Sequence, residues 1–307
     1  MRIVVMGTGG VGGFFGAKLA LAGNEVTFVA RGRHLDAIRA EGLRVESGTG
    51  AMHVANARAT DSVDGVPAAD VVVFCVKLWD VETAAQQIAP LLRAGGVVIP
   101  FQNGLESPEI LNRVVGPDRV LGGVAYIAAT IRAPGVIAHT GTMARLRVGA
   151  FPGGPAARVT EFAAVCKNAM IDIDVSPDIR RALWEKFCFL AAFAGCTCMA
   201  RQPIGAVRSD PDLRATFEGA VQEAWRVGRA TGVPLADDYV KAQLTAIDML
   251  PAEMKASMLH DLESGRRLEA PWLSGAVVRM ATDAGLGAPI SRALYAAVKP
   301  YLNGAPR

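Results

Sequence analysis

Six residues near the amino terminus, Gly7-Thr8-Gly9-Gly10-Val11-Gly12, constrain this chain more than any other feature. They form a G-x-G-x-x-G pattern, followed by a further glycine at Gly16, and stand directly after the apolar run Arg2-Ile3-Val4-Val5-Met6. Residues 14–22 then read as a packed helix, and Glu25-Val26-Thr27-Phe28-Val29 as a second strand. Glycine spacing alone is weak evidence, but between a strand and a helix it has a mechanism. The turn lets backbone approach a pyrophosphate, and the helix N-terminus offers unpaired N–H groups and partial positive charge to that anion. An NAD site carries Asp or Glu at the end of the second strand, to bind the ribose 2′-OH. This chain has Ala30-Arg31-Gly32-Arg33-His34 there. A guanidinium matches phosphate oxygens bidentately, so Arg31 and its basic neighbours point to the 2′-phosphate of NADPH.

Strand and helix patterns alternate through the first half. Asp70-Val71-Val72-Val73-Phe74-Cys75-Val76 is a continuous apolar run, as expected for a parallel strand buried on both faces. Residues 81–92 have helical spacing, 95–101 read as the next strand, and 106–115 as a helix opened by Pro108. Strand pieces recur at 120–125, 136–139 and 145–148, followed by a helix over 156–168 and a strand over 171–175. This alternation predicts an α/β, Rossmann-type doubly wound parallel sheet with some antiparallel strands at its far edge. Ser176-Pro177-Asp178 marks a change of character. Beyond it the spacing is helical, over 182–199, 212–231, 237–250, 268–284 and 291–301. The reading is an NADP-binding domain over 1–176 and an all-α substrate and catalytic domain over 177–307. A cleft between the two is the default place for a small ligand.

Composition removes several classes. With 32 basic and 29 acidic residues the net charge is +3, too balanced for a nucleic-acid or membrane surface. Cys75, Cys166, Cys188, Cys196 and Cys198 contain no C-x-x-C pair, which predicts free thiols in a reducing cytoplasm and no metal site. Glycines interrupt any apolar signal region, and no uninterrupted apolar stretch reaches the roughly 18 residues of a membrane span. The expected partner is a small molecule, bound by a cytoplasmic protein for which a homodimer is one possible assembly.

Reduction by a nicotinamide leaves the protein to supply orientation, a proton and charge stabilisation, because the hydride belongs to the cofactor. Reducing a ketone creates an alkoxide, which wants a cationic donor beside it. Lys77 directly follows the buried strand ending at Val76, and Asn103 follows the next strand as Gln102-Asn103-Gly104. Both stand at carboxyl ends of strands, where an open sheet places its ligand crevice. Lys186, in Trp184-Glu185-Lys186-Phe187-Cys188-Phe189-Leu190, begins a long apolar stretch. Such a lysine either snorkels from the edge of that stretch or points into a site. Glu269, in Gly265-Arg266-Arg267-Leu268-Glu269, reads on composition alone as a surface charge.

Taken together, the chain resembles the ketopantoate reductase family nearly end to end. The likeness rests on Gly7-Thr8-Gly9-Gly10-Val11-Gly12, Val76-Lys77, Gln102-Asn103-Gly104 and Leu183-Trp184-Glu185-Lys186. It continues through Pro203-Ile204-Gly205-Ala206-Val207-Arg208, Ser257-Met258-Leu259-His260-Asp261-Leu262 and Gly265-Arg266-Arg267-Leu268-Glu269. The resemblance implies NADPH-dependent reduction of a 2-oxo acid, with Lys186 as proton donor and Glu269 beside the reacting centre. It places Lys77 and Asn103 along the nicotinamide and substrate, Arg31 at the 2′-phosphate, Ser257 at the substrate carboxylate and Ala128 at a cofactor backbone contact.

The chain also departs from the family pattern. Asparagines four and eight residues after the catalytic lysine hold substrate polar groups in the family, and here those positions are Leu190 and Ala194. Both fall on the helix face of Lys186, so that wall of the substrate site is expected to be apolar. Ala270-Pro271 likewise replaces the usual Ile-Asp. Three readings remain open: reduction of ketopantoate, reduction of a more hydrophobic 2-oxo acid, and non-catalytic NADPH binding. Thr197 or Gln202 could stand in for the missing asparagines.

Overall fold

The computed structural model describes residues 1–92 and 95–304. They form two compact units, Met1–Gln102 with Glu106–Ala182, and Asn103–Leu105 with the chain from Leu183 onward. The first unit opens with β1 (Arg2–Met6), α1 (Gly10–Leu21), β2 (Glu25–Val29) and α2 (Gly32–Glu41). Three short strands follow, β3 (Leu43–Ser47), β4 (Met52–Val54) and β5 (Arg58–Thr60), then β6 (Val71–Phe74), α3 (Val81–Ile88), β7 (Val97–Pro100) and α4 (Ser107–Val115). The unit continues with β8 (Leu121–Ala133), β9 (Val136–Ala150), α5 (Ala156–Asn168) and β10 (Asp172–Val175). Helix α6 (Ile179–Ala200) leads into the second unit. There α7 (Ile204–Ser209), α8 (Pro211–Ala230) and α9 (Tyr239–Met249) precede α10 (Ser257–Glu263), α11 (Ser274–Asp283) and α12 (Pro289–Val298).

Five strands in the order β5-β2-β1-β6-β7 form a parallel sheet. Every residue of β6 and β7 is buried, which is why both read as unbroken apolar runs. The antiparallel pairing lies elsewhere than expected. It belongs to a second sheet, β10-β9-β3-β4 with β8 on β9, and not to the far edge of the first. The strand pieces expected at 120–125, 136–139 and 145–148 merge into one long hairpin turning at Pro134-Gly135. Its tip is exposed, so ladder hydrogen bonds extend the strands where apolar alternation gives no signal. Helix α2 and strands β3 to β5 escaped the sequence reading for a related reason, being short and half exposed.

The second unit is helical around α6, whose Phe187, Cys188, Ala192, Ala194 and Cys196 are almost wholly buried. Trp184 and Phe187 meet edge to face at 5.5 Å. By length and composition α6 could cross a membrane, but 72% of its most apolar window is buried inside the protein, which accounts for its hydropathy. The helix expected over 268–284 starts late. Pro271 cannot join a helix interior, so Ala270–Trp272 form a tight 3₁₀ turn before α11 begins at Ser274. Glu223 of α8 accepts the backbone N–H groups of Ile290 and Ser291, capping α12 with a buried carboxylate. All five cysteines are free, and burial pushes the thiols of Cys75, Cys166, Cys196 and Cys198 up to about 12.

Candidate active site

The glycine loop is tied to the end of β2 and has the form of an anion cradle. The Gly7 and Thr8 N–H groups and the Thr8 hydroxyl all donate to Val29 O, at 3.2, 3.0 and 3.0 Å. Gly9 caps α1 without a side chain, and no acidic residue stands in the first turn. The partial positive charge of the helix end is therefore unspent. A Cβ at Gly10 would lie 1.9 Å from Ala129 O, and one at Gly12 2.2 Å from Gly7 O, so only glycine allows this packing. At Gly9 a Cβ would meet nothing within 4 Å, which leaves that side of the loop open. Half-buried Val11 completes a cradle that fits the pyrophosphate of a dinucleotide.

Around this loop the basic residues separate into two roles. Arg31 is exposed at the N-cap of α2, with its guanidinium 3.6 Å from Asp80, and Arg33 is exposed as well. His34 differs from the arginines in that both its ring nitrogens are bonded to backbone groups. Its Nδ1 accepts from the Gly135 N–H at 3.0 Å, which leaves Nε2 as the donor to Thr8 O at 2.8 Å. Burial lowers its pKa, opposed by the bond to Thr8, so the neutral ring is favoured. His34 thus ties the glycine loop to the turn between β8 and β9. Ala128 is half buried just past the bulge in β8, one residue before the carbonyl that crowds Gly10. Lys77 is exposed after β6, its ammonium 5.7 Å from the Trp79 ring centre. Gln102 Nε2 donates to Phe74 O and Val76 O at 3.0 and 3.2 Å, fastening the carboxyl end of β6. The sequence offered no signal for that role beyond the position of Gln102 after a strand.

In the second unit three of the expected residues come together. Gly104 holds φ +91°, a turn that favours glycine, directly after Asn103. The Lys186 ammonium donates to Asn103 Oδ1 at 3.1 Å. Burial lowers the Lys186 pKa to about 8, and the charge of Glu269 opposes that fall. Glu269 is 8% exposed and so is no surface charge. The Leu268 N–H donates to Leu302 O and Arg267 bridges to Asn303, which pins the strand-like segment leading to it. Ser257 is exposed at the first residue of α10. Leu190 keeps accessible surface one turn beyond Lys186, whereas Ala194 lies inside the core. The buried Thr197 hydroxyl donates to Phe193 O at 2.7 Å, so its proton is spent within α6. Gln202 is exposed.

Comparison with known proteins identifies the family. The profile of "Ketopantoate reductase PanE/ApbA" matches residues 3–153, and that of its C-terminal domain matches residues 178–302. A 2-dehydropantoate 2-reductase of Mesorhizobium japonicum is 35% identical, with 90% of each chain covered. Another from Halobacterium salinarum is 32% identical, with 96% of each covered. The crystal structure of 2-dehydropantoate 2-reductase from Geobacter metallireducens superposes with a TM-score of 0.91 at 28% identity, covering 97% of this chain and 99% of that one. D-mandelate dehydrogenase, at 18% identity, 98% coverage of both chains and a TM-score of 0.90, shares the fold. Two successive profile matches spanning most of the chain place this protein in the ketopantoate reductase family of oxidoreductases.

Proposed function

We propose that this protein reduces a 2-oxo acid to the 2-hydroxy acid with NADPH, and that ketopantoate is the leading substrate. The observation that carries the reading is the half-buried Lys186, its ammonium desolvated, held by Asn103 and acted on by the charge of Glu269. A depressed lysine pKa near the working pH suits a general acid, because the proton is both present and readily given. The bound nicotinamide supplies the hydride to the keto carbon. Lys186 gives its proton to the carbonyl oxygen as charge develops there, and regains one from solvent afterwards. Glu269 keeps the ammonium charged against its desolvation. Asn103 accepts from one of the three ammonium donors and so fixes the direction of the Lys186 head. Ser257 would hold the carboxylate. The loop of residues 7–12 would bind the pyrophosphate, Arg31 the 2′-phosphate, and Lys77 and Ala128 the nicotinamide side.

Leu190 favours a second reading, the same chemistry on a more apolar 2-oxo acid, because a substrate hydroxyl finds no partner on that side chain. A non-catalytic NADPH-binding role leaves the desolvated, half-buried ammonium of Lys186 unexplained. Five free thiols suit a reducing cytoplasm. The test is NADPH oxidation with a panel of 2-oxo acids, including ketopantoate and acids with aliphatic or aromatic tails. NADPH should exceed NADH by at least about tenfold in kcat/KM, the worth of a charge-assisted bidentate contact. Equal use of both cofactors, or an unchanged NADPH affinity in Arg31→Ala, would refute the cofactor assignment. No turnover of any 2-oxo acid would refute the activity.

A further inference from the structure

The Rossmann-type sheet places β2 and β6 on either side of β1, whose carboxyl end runs into the glycine loop. Arg31 follows β2, and Asp80 ends the short 3₁₀ turn Leu78–Asp80 that follows β6. Their side chains approach to 3.6 Å, so an acid and a base meet beyond the end of β1. The acid that an NAD site carries after its second strand is absent from that position here, yet a carboxylate reaches the same guanidinium from beyond β6, on the other side of β1. Both groups are exposed, at 60% and 36% of their side-chain surface, so the pair is readily broken by a competing anion.

We propose that Asp80 is a specificity-determining residue that restrains the preference for NADPH over NADH. The inference rests on reading Arg31 as the 2′-phosphate ligand. A phosphate arriving on Arg31 displaces Asp80 from the guanidinium and leaves the carboxylate beside a doubly charged group. Both consequences weaken NADPH binding. A ribose 2′-OH carries no charge and can donate to the same carboxylate, as it does to the acid of an NAD site. Asp80 therefore penalises one cofactor and is neutral or favourable to the other.

The test is calorimetric titration of NADPH and NADH into wild-type protein, Asp80→Asn and Arg31→Ala, without substrate. Asp80→Asn should tighten NADPH binding by about threefold to tenfold, the range for removing an exposed ion pair together with a nearby like charge. NADH affinity should stay the same or fall. The gain should shrink at high salt, where exposed charges are screened. If Asp80→Asn weakens NADPH binding or leaves it unchanged while Arg31→Ala weakens it, Asp80 merely orients the arginine and the proposal fails alone. If Arg31→Ala leaves NADPH affinity unchanged, the cofactor reading itself fails and the proposal with it. Circular dichroism of each variant, matched to wild type, excludes misfolding as the source of a weakened affinity.

Discussion

The ammonium of Lys186 and the side-chain carbonyl of Asn103 are hydrogen-bonded at 3.1 Å although 83 positions separate them in the chain. The bond assigns the amide orientation, with Oδ1 toward the cation and the NH₂ group turned away from it. It also directs one ammonium proton and so fixes the orientation of the Lys186 head.

The first prediction concerns pH. Protonated Lys186 is the proposed donor, and its pKa is lowered to about 8. The rate of 2-oxo acid reduction should therefore fall as pH rises through about 8, and the reverse oxidation should rise through the same point. Glu269 raises that pKa, so Glu269→Gln should move the alkaline limb to lower pH. Lys186→Ala should lower kcat by about 10²–10⁴, with little change in NADPH affinity. Steady-state profiles of kcat/KM against pH decide the matter, and an unmoved limb in Glu269→Gln counts against the pairing.

Stability should respond in the opposite sense to activity. The folded pKa of Lys186 lies below its ordinary value, so the folded state resists the proton that the unfolded chain accepts. The cost is fully present below about pH 8 and disappears as pH rises toward 10.5. Lys186→Met should thus raise stability by about 1–3 kcal/mol at pH 7 while abolishing activity. The gain should vanish near pH 10.5, measured as Tm against pH.

His34 should affect cofactor binding through the backbone it holds. Its ring joins Thr8 O to the Gly135 N–H, and His34→Ala frees both. The loop is the proposed site of the pyrophosphate shared by both dinucleotides, so NADPH and NADH should weaken alike, by about threefold to thirtyfold for one to two lost hydrogen bonds. Arg31→Ala should weaken NADPH alone. Titration of both cofactors into both variants separates the roles, and a selective loss of NADPH in His34→Ala would contradict this one.

The last prediction concerns substrate choice. Leu190 retains surface one turn beyond Lys186, and an unpaired substrate hydroxyl against it costs about 1–3 kcal/mol. An apolar tail instead gains roughly 0.8 kcal/mol per buried methylene. Leu190→Asn should raise kcat/KM for ketopantoate and lower it for an apolar 2-oxo acid. Should wild-type enzyme prefer ketopantoate by tenfold or more, the apolar-wall argument is wrong.

By itself the sequence determined the parallel sheet and its loop. Apolar runs such as residues 71–74 can be buried on both faces only inside such a sheet, and residues 10 and 12 can pack against Ala129 and Gly7 only as glycines. Family resemblance marked Lys186, Asn103 and Glu269 one by one, but composition alone made Glu269 a surface charge. Only tertiary structure decided that it is buried: Leu268 before it is bonded to Leu302, more than thirty residues later, and its charge acts on Lys186 of a distant helix. Tertiary structure likewise separated His34 from Arg31, three residues apart, since the partners of one are backbone groups of two distant turns and the partner of the other is Asp80. The long hairpin of β8 and β9 went unread for the same physical reason: its stability comes from hydrogen bonds between strands, which leave no periodicity in either strand alone.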